Sequence, residues 1–274
     1  MTSRIQKLLR LRPSCSDRLD KPIAEEAAVA VEFNGIGYAV MMMTPADLEV
    51  FALGFALTER IAASPADILD VDVADVPAGI ILRVTVSASA AERIGERIRH
   101  RTSDTGCGLC GIASLESLSR PLPAPPPAPS VSTDAIFAAL EAVRGRQTLN
   151  LATGAVHAAA WCDGSSAIRY IAEDVGRHNA LDKLIGMIGG SALQPAPAQV
   201  GGFLLVTSRL SFEMVDKALV ARAPLLVGIS AATTMAVDHA RANGLTLIAL
   251  ARPDAMLVMA DPHGVFDDGS GGGT

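Results

Sequence analysis

Apolar and polar residues alternate from Val29 through Val31 to Phe33, break at Asn34-Gly35, and resume as an apolar run from Ile36 to Met43. Alternation with a period of two puts one set of side chains on one face of a strand. Asn-Gly between two such runs supplies the positive φ of a tight turn, so the segment predicts a β-hairpin. The period then changes. Leu48, Phe51, Ala52 and Phe55 recur at helical spacing behind Thr44-Pro45-Ala46-Asp47, which reads as an N-cap, a first-turn proline and a first-turn acid. A helix to about Glu59 is expected. Strands at 68–76 and 80–87 and a charged helix at 90–101 complete an α+β unit.

Six of the sixteen prolines fall between Pro121 and Pro129, an extended polyproline spacer. Beyond it, 132–144 reads as a capped amphipathic helix, and the runs 155–162 and 167–172 pair through Asp163-Gly164 as a second hairpin. Helices at 175–188, 212–222 and 233–243 then alternate with short apolar strands at 202–207, 225–229 and 245–251. Strands of this kind alternating with helices mean a largely parallel sheet covered on both faces. The expected fold class is α/β, with a mostly parallel mixed sheet in the C-terminal domain and a smaller α+β N-terminal domain. The expected boundaries are a basic, disordered N-terminus at 1–22, the first domain at 23–118, the linker at 119–131, the second domain at 132–263 and a Gly-rich tail at 264–274.

Composition narrows the function. With 274 residues and 50% hydrophobic content, the chain can bury a large core, and a net charge of −6 argues against a general nucleic-acid binder. The first 22 residues carry Arg4, Lys7, Arg10, Arg12, Arg18 and Lys21 without the apolar stretch of a signal peptide. The charge-free run 223–237 is too short and too polar to span a bilayer. A soluble, cytoplasmic protein is expected, and its four cysteines (Cys15, Cys107, Cys110 and Cys162) are expected to be reduced.

The chemistry concentrates in Thr105-Gly106-Cys107-Gly108-Leu109-Cys110-Gly111, where two thiols sit among three glycines. Glycine frees the backbone to adopt positive φ, so such a loop can carry sulfur between partners. A thioredoxin-like redox pair wants its first thiol at a strand end that opens a helix, yet the preceding segment is itself helical in pattern. A closed zinc site needs four ligands, and one Cys-x-x-Cys supplies two. The third possibility is a persulfide carrier, whose thiolate Arg99, His100 and Arg101 could favour.

At this point the sequence resembles the formate dehydrogenase accessory sulfurtransferases, the FdhD family. The resemblance runs through Glu25 to Gly35, Thr44-Pro45-Ala46-Asp47-Leu48, Leu53 to Glu59, Cys107 to Gly111, Thr153 to His157, Glu173 to Lys183, Thr207-Ser208-Arg209 and Phe212 to Val215. It implies that sulfur passes from a cysteine desulfurase to the dithiol loop and on to a molybdenum cofactor, bis-molybdopterin guanine dinucleotide, as a sulfido ligand. Cys107 would be the persulfide carrier and Cys110 its partner. It also implies a C-terminal domain similar to the cytidine deaminase fold. Zinc deaminases open two helices with His-x-Glu and Pro-Cys-x-x-Cys, whereas the corresponding positions here carry Arg177-His178-Asn179 and Thr207-Ser208-Arg209, so neither zinc nor deamination is expected.

Helix starts behind parallel strands are natural anion sites. The segments from Asp174 to His178 and from Thr207 to Arg209 are therefore candidate phosphate cradles, with Ser208, Arg209 and His178 as cofactor-binding candidates. Leu250, Ala251, Arg252, Pro253, Asp254 and Ala255 resemble a family stretch associated with the guanine dinucleotide, although Leu250 and Ala255 replace an aromatic and a basic residue. GDP is the expected fragment ligand. His157, Trp161, Cys162 and the run Met41-Met42-Met43 read as core. Expected partners are the desulfurase, the catalytic subunit of formate dehydrogenase and a second copy of the chain as a homodimer, with no nucleic acid and no membrane. The competing classes are a chaperone that holds cofactor or apo-dehydrogenase without moving sulfur, and a dithiol redox or zinc protein.

Overall fold

The structure, a computed structural model, describes residues 2–103, 121–190 and 201–266, with the side chains of 96–103 left aside. The dithiol loop lies outside the described residues, as does most of the Gly-rich tail.

The basic N-terminus, expected to be without structure, forms a hairpin. Strand β1 (Ser3–Leu11) pairs antiparallel with β2 (Ser16–Ala24), in register from Ser3 opposite Ala24 to Leu11 opposite Ser16. Its alternation is masked in the sequence because both faces mix leucine with charge. The expected hairpin follows as β3 (Ala27–Phe33) and β4 (Ile36–Met43), with Asn34 and Gly35 both at positive φ. These strands join β5 (Ile68–Val76) and β6 (Gly79–Val86) in a sheet of order β4-β3-β6-β5. One face of this sheet is the first core, where Val29, Val31, Phe33, Leu82 and Val84 meet Phe51 and Phe55 of helix α1 (Leu48–Thr58). A second helix, α2 (Ala88–Ser103), leads toward the dithiol loop. Its start is tied down by Asp67, which accepts from Ala63 N (2.7 Å), Ser87 Oγ (2.5 Å) and Arg93 (3.0 Å). Those contacts, the Ser87 hydroxyl foremost, hold the Asp67 carboxyl down at about 2.

The polyproline segment does not hang free. Leu122 packs against the second core, Pro126 and Pro129 are buried, and Pro125 lies beside Gly244. Helix α3 (Thr133–Arg146) starts as expected, its Ser132 cap accepting from Ala135 N. A short helix, α4 (Thr148–Thr153), was not legible; the Glu173 carboxylate, distant in sequence, caps it by accepting from Leu149 N and Asn150 N at 2.8 Å each.

The second sheet has the order β12-β11-β10-β9-β7-β8, from β7 (His157–Cys162), β8 (Ile168–Asp174), β9 (Phe203–Val206), β10 (Leu225–Gly228), β11 (Thr246–Ala249) and β12 (Leu257–Ala260). The expectation of a mostly parallel sheet is corrected here. The β9–β10 and β10–β11 pairings are parallel, whereas β7–β8, β7–β9 and β11–β12 are antiparallel. The hairpin inserts β7 between two parallel strands, and β12 folds back on the edge. Helices α5 (Arg177–Gly189), α6 (Phe212–Val220) and α7 (Thr234–Ala242) cover one face and α3 the other. Among the described residues, no helix is long and apolar enough to cross a membrane.

Helices α1 and α5 bring the two parts together. They cross so closely that a Cβ on Gly54 would lie 1.7 Å from Asp182 O, and one on Gly186 would lie 1.7 Å from Val50 O. Only glycine at both positions permits that approach.

Candidate functional site

Strand β7 runs against both β8 and β9, so β8 and β9 point the same way, as do β10 and β11. The segments that follow these four strands therefore emerge at one edge of the sheet. They include Gly176-Arg177-His178 after β8, Thr207-Ser208-Arg209 after β9 and Leu250 to Ala255 after β11. At about 4.8 Å per strand step, the edge from β8 to β11 spans roughly 20 Å. The three cradle segments thus lie along one rim, in the place sheets of this type use for ligands.

The β8 end is held from beneath. Asp174 and Lys183, both fully buried, pair at 2.7 Å. The Asp174 carboxylate also accepts from Thr44 N (3.1 Å), Gly176 N (2.7 Å) and Asn179 Nδ2 (3.1 Å). Lys183 Nζ donates in addition to Thr44 O (2.9 Å), and Val175 N donates to Thr44 Oγ1 (3.2 Å). Thr44 is therefore not the N-cap of α1. That position falls to Asp47 in the left-handed region, without a side-chain bond, while Thr44 docks the first domain onto the second. Gly176 caps α5 backbone-first, because a Cβ there would come within 2.5 Å of Asn179 Nδ2.

Above this hub stand Arg177 and His178, in the first turn of α5. His178 Nε2 lies 3.1 Å from Glu213 Oε2 on α6, close enough for charge pairing but off the line of a hydrogen bond. The His178 ring, followed by Arg177 and Lys217, holds the Glu213 carboxyl below its ordinary value. His157, expected in the core, is half-buried at the start of β7 opposite Asp174. Burial first, then the charges of Arg177 and Arg209, pushes its pKa down, so its ring is neutral at neutral pH. Arg177 Nε and Ser211 Oγ are buried without a hydrogen-bond partner among the described residues.

At the β9 end, Ser208 is buried, its hydroxyl donating to Arg209 O, while Arg209 is exposed. Neither opens a helix: α6 begins at Phe212 behind Ser211, because Leu210 first makes a bridge to Ala232. At the β11 end, Leu250 has φ +50°, uncommon for a branched side chain, and its N–H donates to Ser230 O (3.0 Å). The turn closes with Arg252 N donating to Ala255 O (2.8 Å), which leaves Arg252, Pro253, Asp254 and Ala255 exposed and Ala251 buried. Sequence reading placed Arg177 within the cradle segment 174–178 without singling it out and missed Glu213, since their meeting depends on α5 and α6 lying side by side. Among the described residues, no group of three or more His, Cys, Asp or Glu is placed to hold a metal ion.

Helix α6 carries a further set of bonds behind the rim. Lys217 Nζ donates to both Asp182 carboxylate oxygens and to Thr58 Oγ1, each at 2.9 Å. Asp216 accepts from Arg60 (2.8 Å) and lies 3.2 Å from His239 Nε2. Because Thr58 and Arg60 belong to the first domain, the rim rests on both domains at once.

Known proteins match the chain in sequence and in fold. The model of the FdhD/NarQ family matches residues 24–266. The sulfur carrier protein FdhD of Variovorax paradoxus is 46% identical over 240 residues, 88% of this chain and 85% of that one. Its namesake from Xanthomonas campestris is 41% identical over 259 residues, 94% of this chain and 91% of that one. A crystal structure of a candidate formate dehydrogenase accessory protein from Desulfotalea psychrophila has the same fold, with a TM-score of 0.72 at 23% identity, covering 96% of this chain and 99% of that one. The chain belongs to the FdhD/NarQ family.

Proposed function

We propose that this chain is a sulfur carrier in formate dehydrogenase maturation, taking sulfur from a cysteine desulfurase and passing it to a molybdenum cofactor of the bis-molybdopterin guanine dinucleotide type. One observation carries the reading: the loops bearing Arg177, Arg209 and Arg252 share one sheet edge, in a chain that also holds a glycine-flanked dithiol and whose relatives are named sulfur carriers. In the loading step the Cys107 thiolate attacks the outer sulfur of the donor's persulfide. A new S–S bond forms on Cys107, and the donor cysteine leaves as a thiolate. Attack by Cys110 on the Cys107 sulfur then releases hydrosulfide to the acceptor and leaves a Cys107–Cys110 disulfide, which a cellular thiol reduces.

Three arginines along about 20 Å of rim suit the pyrophosphate oxygens of a guanine dinucleotide, since forked donors match them in pairs. Incubated with a desulfurase and cysteine, the protein should gain whole sulfur atoms on the peptide containing Cys107 and Cys110, lost again on reduction. Loading of Cys107→Ala at the parent level would remove the carrier assignment. Loss of loading in the parent itself, with nucleotide binding kept, would favour a chaperone.

The acceptor rim makes a separate expectation. GDP, as a fragment of the cofactor, should bind with a Kd of about 10 to 1000 μM by calorimetry. Arg252→Ala and Arg209→Ala should weaken it while leaving sulfur loading intact. Unchanged GDP affinity in both variants would remove the rim as the acceptor site.

A further inference from the structure

The β1–β2 hairpin is long, ordered and poorly supported. Its main rest on the body is β2 against α4, and a two-stranded hairpin alone is marginal in water. It precedes residues 24–266, the span that the family model matches, so its sequence lies outside what defines the family. Leu8 and Leu19, opposite one another on one face, are partly covered. The other face carries Ile5, Lys7, Leu9 and Leu11 opposite Pro22, Asp20, Arg18 and Ser16. Ile5, Leu9 and Leu11 are 71%, 59% and 75% exposed, and every residue from 9 to 16, around the tip, is exposed.

Charge is unevenly divided between this arm and the body. Residues 1–24 hold six Lys and Arg against two Asp, whereas the whole chain holds 23 Lys and Arg against 29 Asp and Glu, so the body behind the arm is strongly acidic. Asp17 is held by Arg10 (2.6 Å), with Arg12 farther off (3.6 Å), and Asp20 stands opposite Lys7. The shape and chemistry of the arm narrow its partner. Nine residues per strand give a face of roughly 30 Å by 10 Å, well below the roughly 800 Å² that each side of a stable protein interface buries. Single-stranded nucleic acid is held on aromatic side chains, and the first aromatic residue of this chain is Phe33. A membrane surface asks for less area, because the headgroup layer yields to aliphatic side chains while flanking basic groups meet lipid phosphates.

We infer that the hairpin is a peripheral membrane arm, which lays Ile5, Leu9 and Leu11 into the headgroup boundary of an anionic bilayer and sets Lys7, Arg12 and Arg18 against lipid phosphates. The two strands satisfy each other along nine paired positions, and their outer edges stay in the wet headgroup layer, where water completes the backbone bonds. The length of the arm, roughly 30 Å, exceeds the screening length of about 8 Å at physiological salt. The acidic body therefore stands beyond the range of the lipid charge that attracts the arm. The expectation of no membrane contact rested on the lack of a signal or spanning segment, which a surface arm does not need. The inference does not rest on sulfur transfer.

The test is co-sedimentation of the full chain with vesicles of about 30% phosphatidylglycerol in phosphatidylcholine, against vesicles of phosphatidylcholine alone. The parent should bind the anionic vesicles about tenfold or more tightly, and release them above roughly 0.5 M salt. Leu9→Glu with Leu11→Glu should abolish binding, and Lys7→Glu with Arg18→Glu should weaken it about tenfold or more. Leu11→Trp gives a readout that no misfolded variant can confuse. The native Trp161 is buried, so a blue shift of emission on anionic vesicles reports the arm entering lipid. No binding of the parent, equal binding to both vesicles, or no shift in Leu11→Trp overturns the proposal. Binding to duplex DNA tighter than to vesicles, lost in Lys7→Glu with Arg18→Glu but kept in Leu9→Glu with Leu11→Glu, would make the arm a nucleic-acid contact and overturn it as well.

Discussion

Gly186→Ala is expected to lower the melting temperature by roughly 10 °C or more, corresponding to about 3 to 5 kcal/mol in a chain of this size. The added methyl would meet Val50 O at 1.7 Å, and that atom is helix backbone, which cannot swing aside as a side chain can. To make room, α1 must lift from α5, and it carries Phe51 and Phe55 of the first core with it. Gly54→Ala should behave alike, because its methyl would meet Asp182 O at the same distance. Gly145→Ala in α3 is the control: nothing lies within 4 Å of its Cβ position, so the change should be neutral or stabilise by about 0.5 to 1 kcal/mol. Melting of Gly186→Ala within 2 °C or so of the parent would mean that the helices do not cross this closely.

The elements with one clean period were legible in the sequence. The β3–β4 hairpin follows from alternation around Asn34-Gly35, and the alternation of β9, β10 and β11 with α6 and α7 predicted that their following loops would meet along one rim. What could not be read depended on partners far away in the chain. Thr44 looks like a helix cap by spacing, yet the Asp174 carboxylate and the Lys183 ammonium, more than 100 residues later, take its backbone groups and leave α1 to begin at Leu48. The hairpin β1–β2 mixes leucine and isoleucine with charge on both faces, so no clean alternation announces it. Strand β12 was not among the expected elements, because it is only four residues long behind the break at Arg252-Pro253. Of the candidate site residues, Arg209 and the segment 174–178 with Arg177 and His178 were read from helix starts behind strands and 250–255 from the family resemblance, while the meeting of Arg177 and His178 with Glu213 and His157 emerged only with the packing of α5, α6 and β7.

The second large effect concerns the ion pair under the β8 end of the rim. Taking charges out of water is costly, and the cost is offset here because Asp174 accepts from Lys183, Thr44, Gly176 and Asn179 together. Removing one partner leaves the other charge buried and uncompensated, at about 3 to 5 kcal/mol. The two sides are not equal. Lys183→Met strands one carboxylate that still has three donors, whereas Asp174→Ala strands an ammonium and three N–H groups at once. Asp174→Ala should therefore be the more damaging by about 1 to 2 kcal/mol in urea unfolding. In a double-mutant cycle the two changes should fall well short of additive, since the second removes a charge already unpaired. Because Gly176 and Asn179 hang on this carboxylate, Asp174→Asn should also weaken GDP binding although residue 174 lies beneath the rim. Costs below about 1 kcal/mol for both single variants would mean that the pair is not the buried hub joining the two domains.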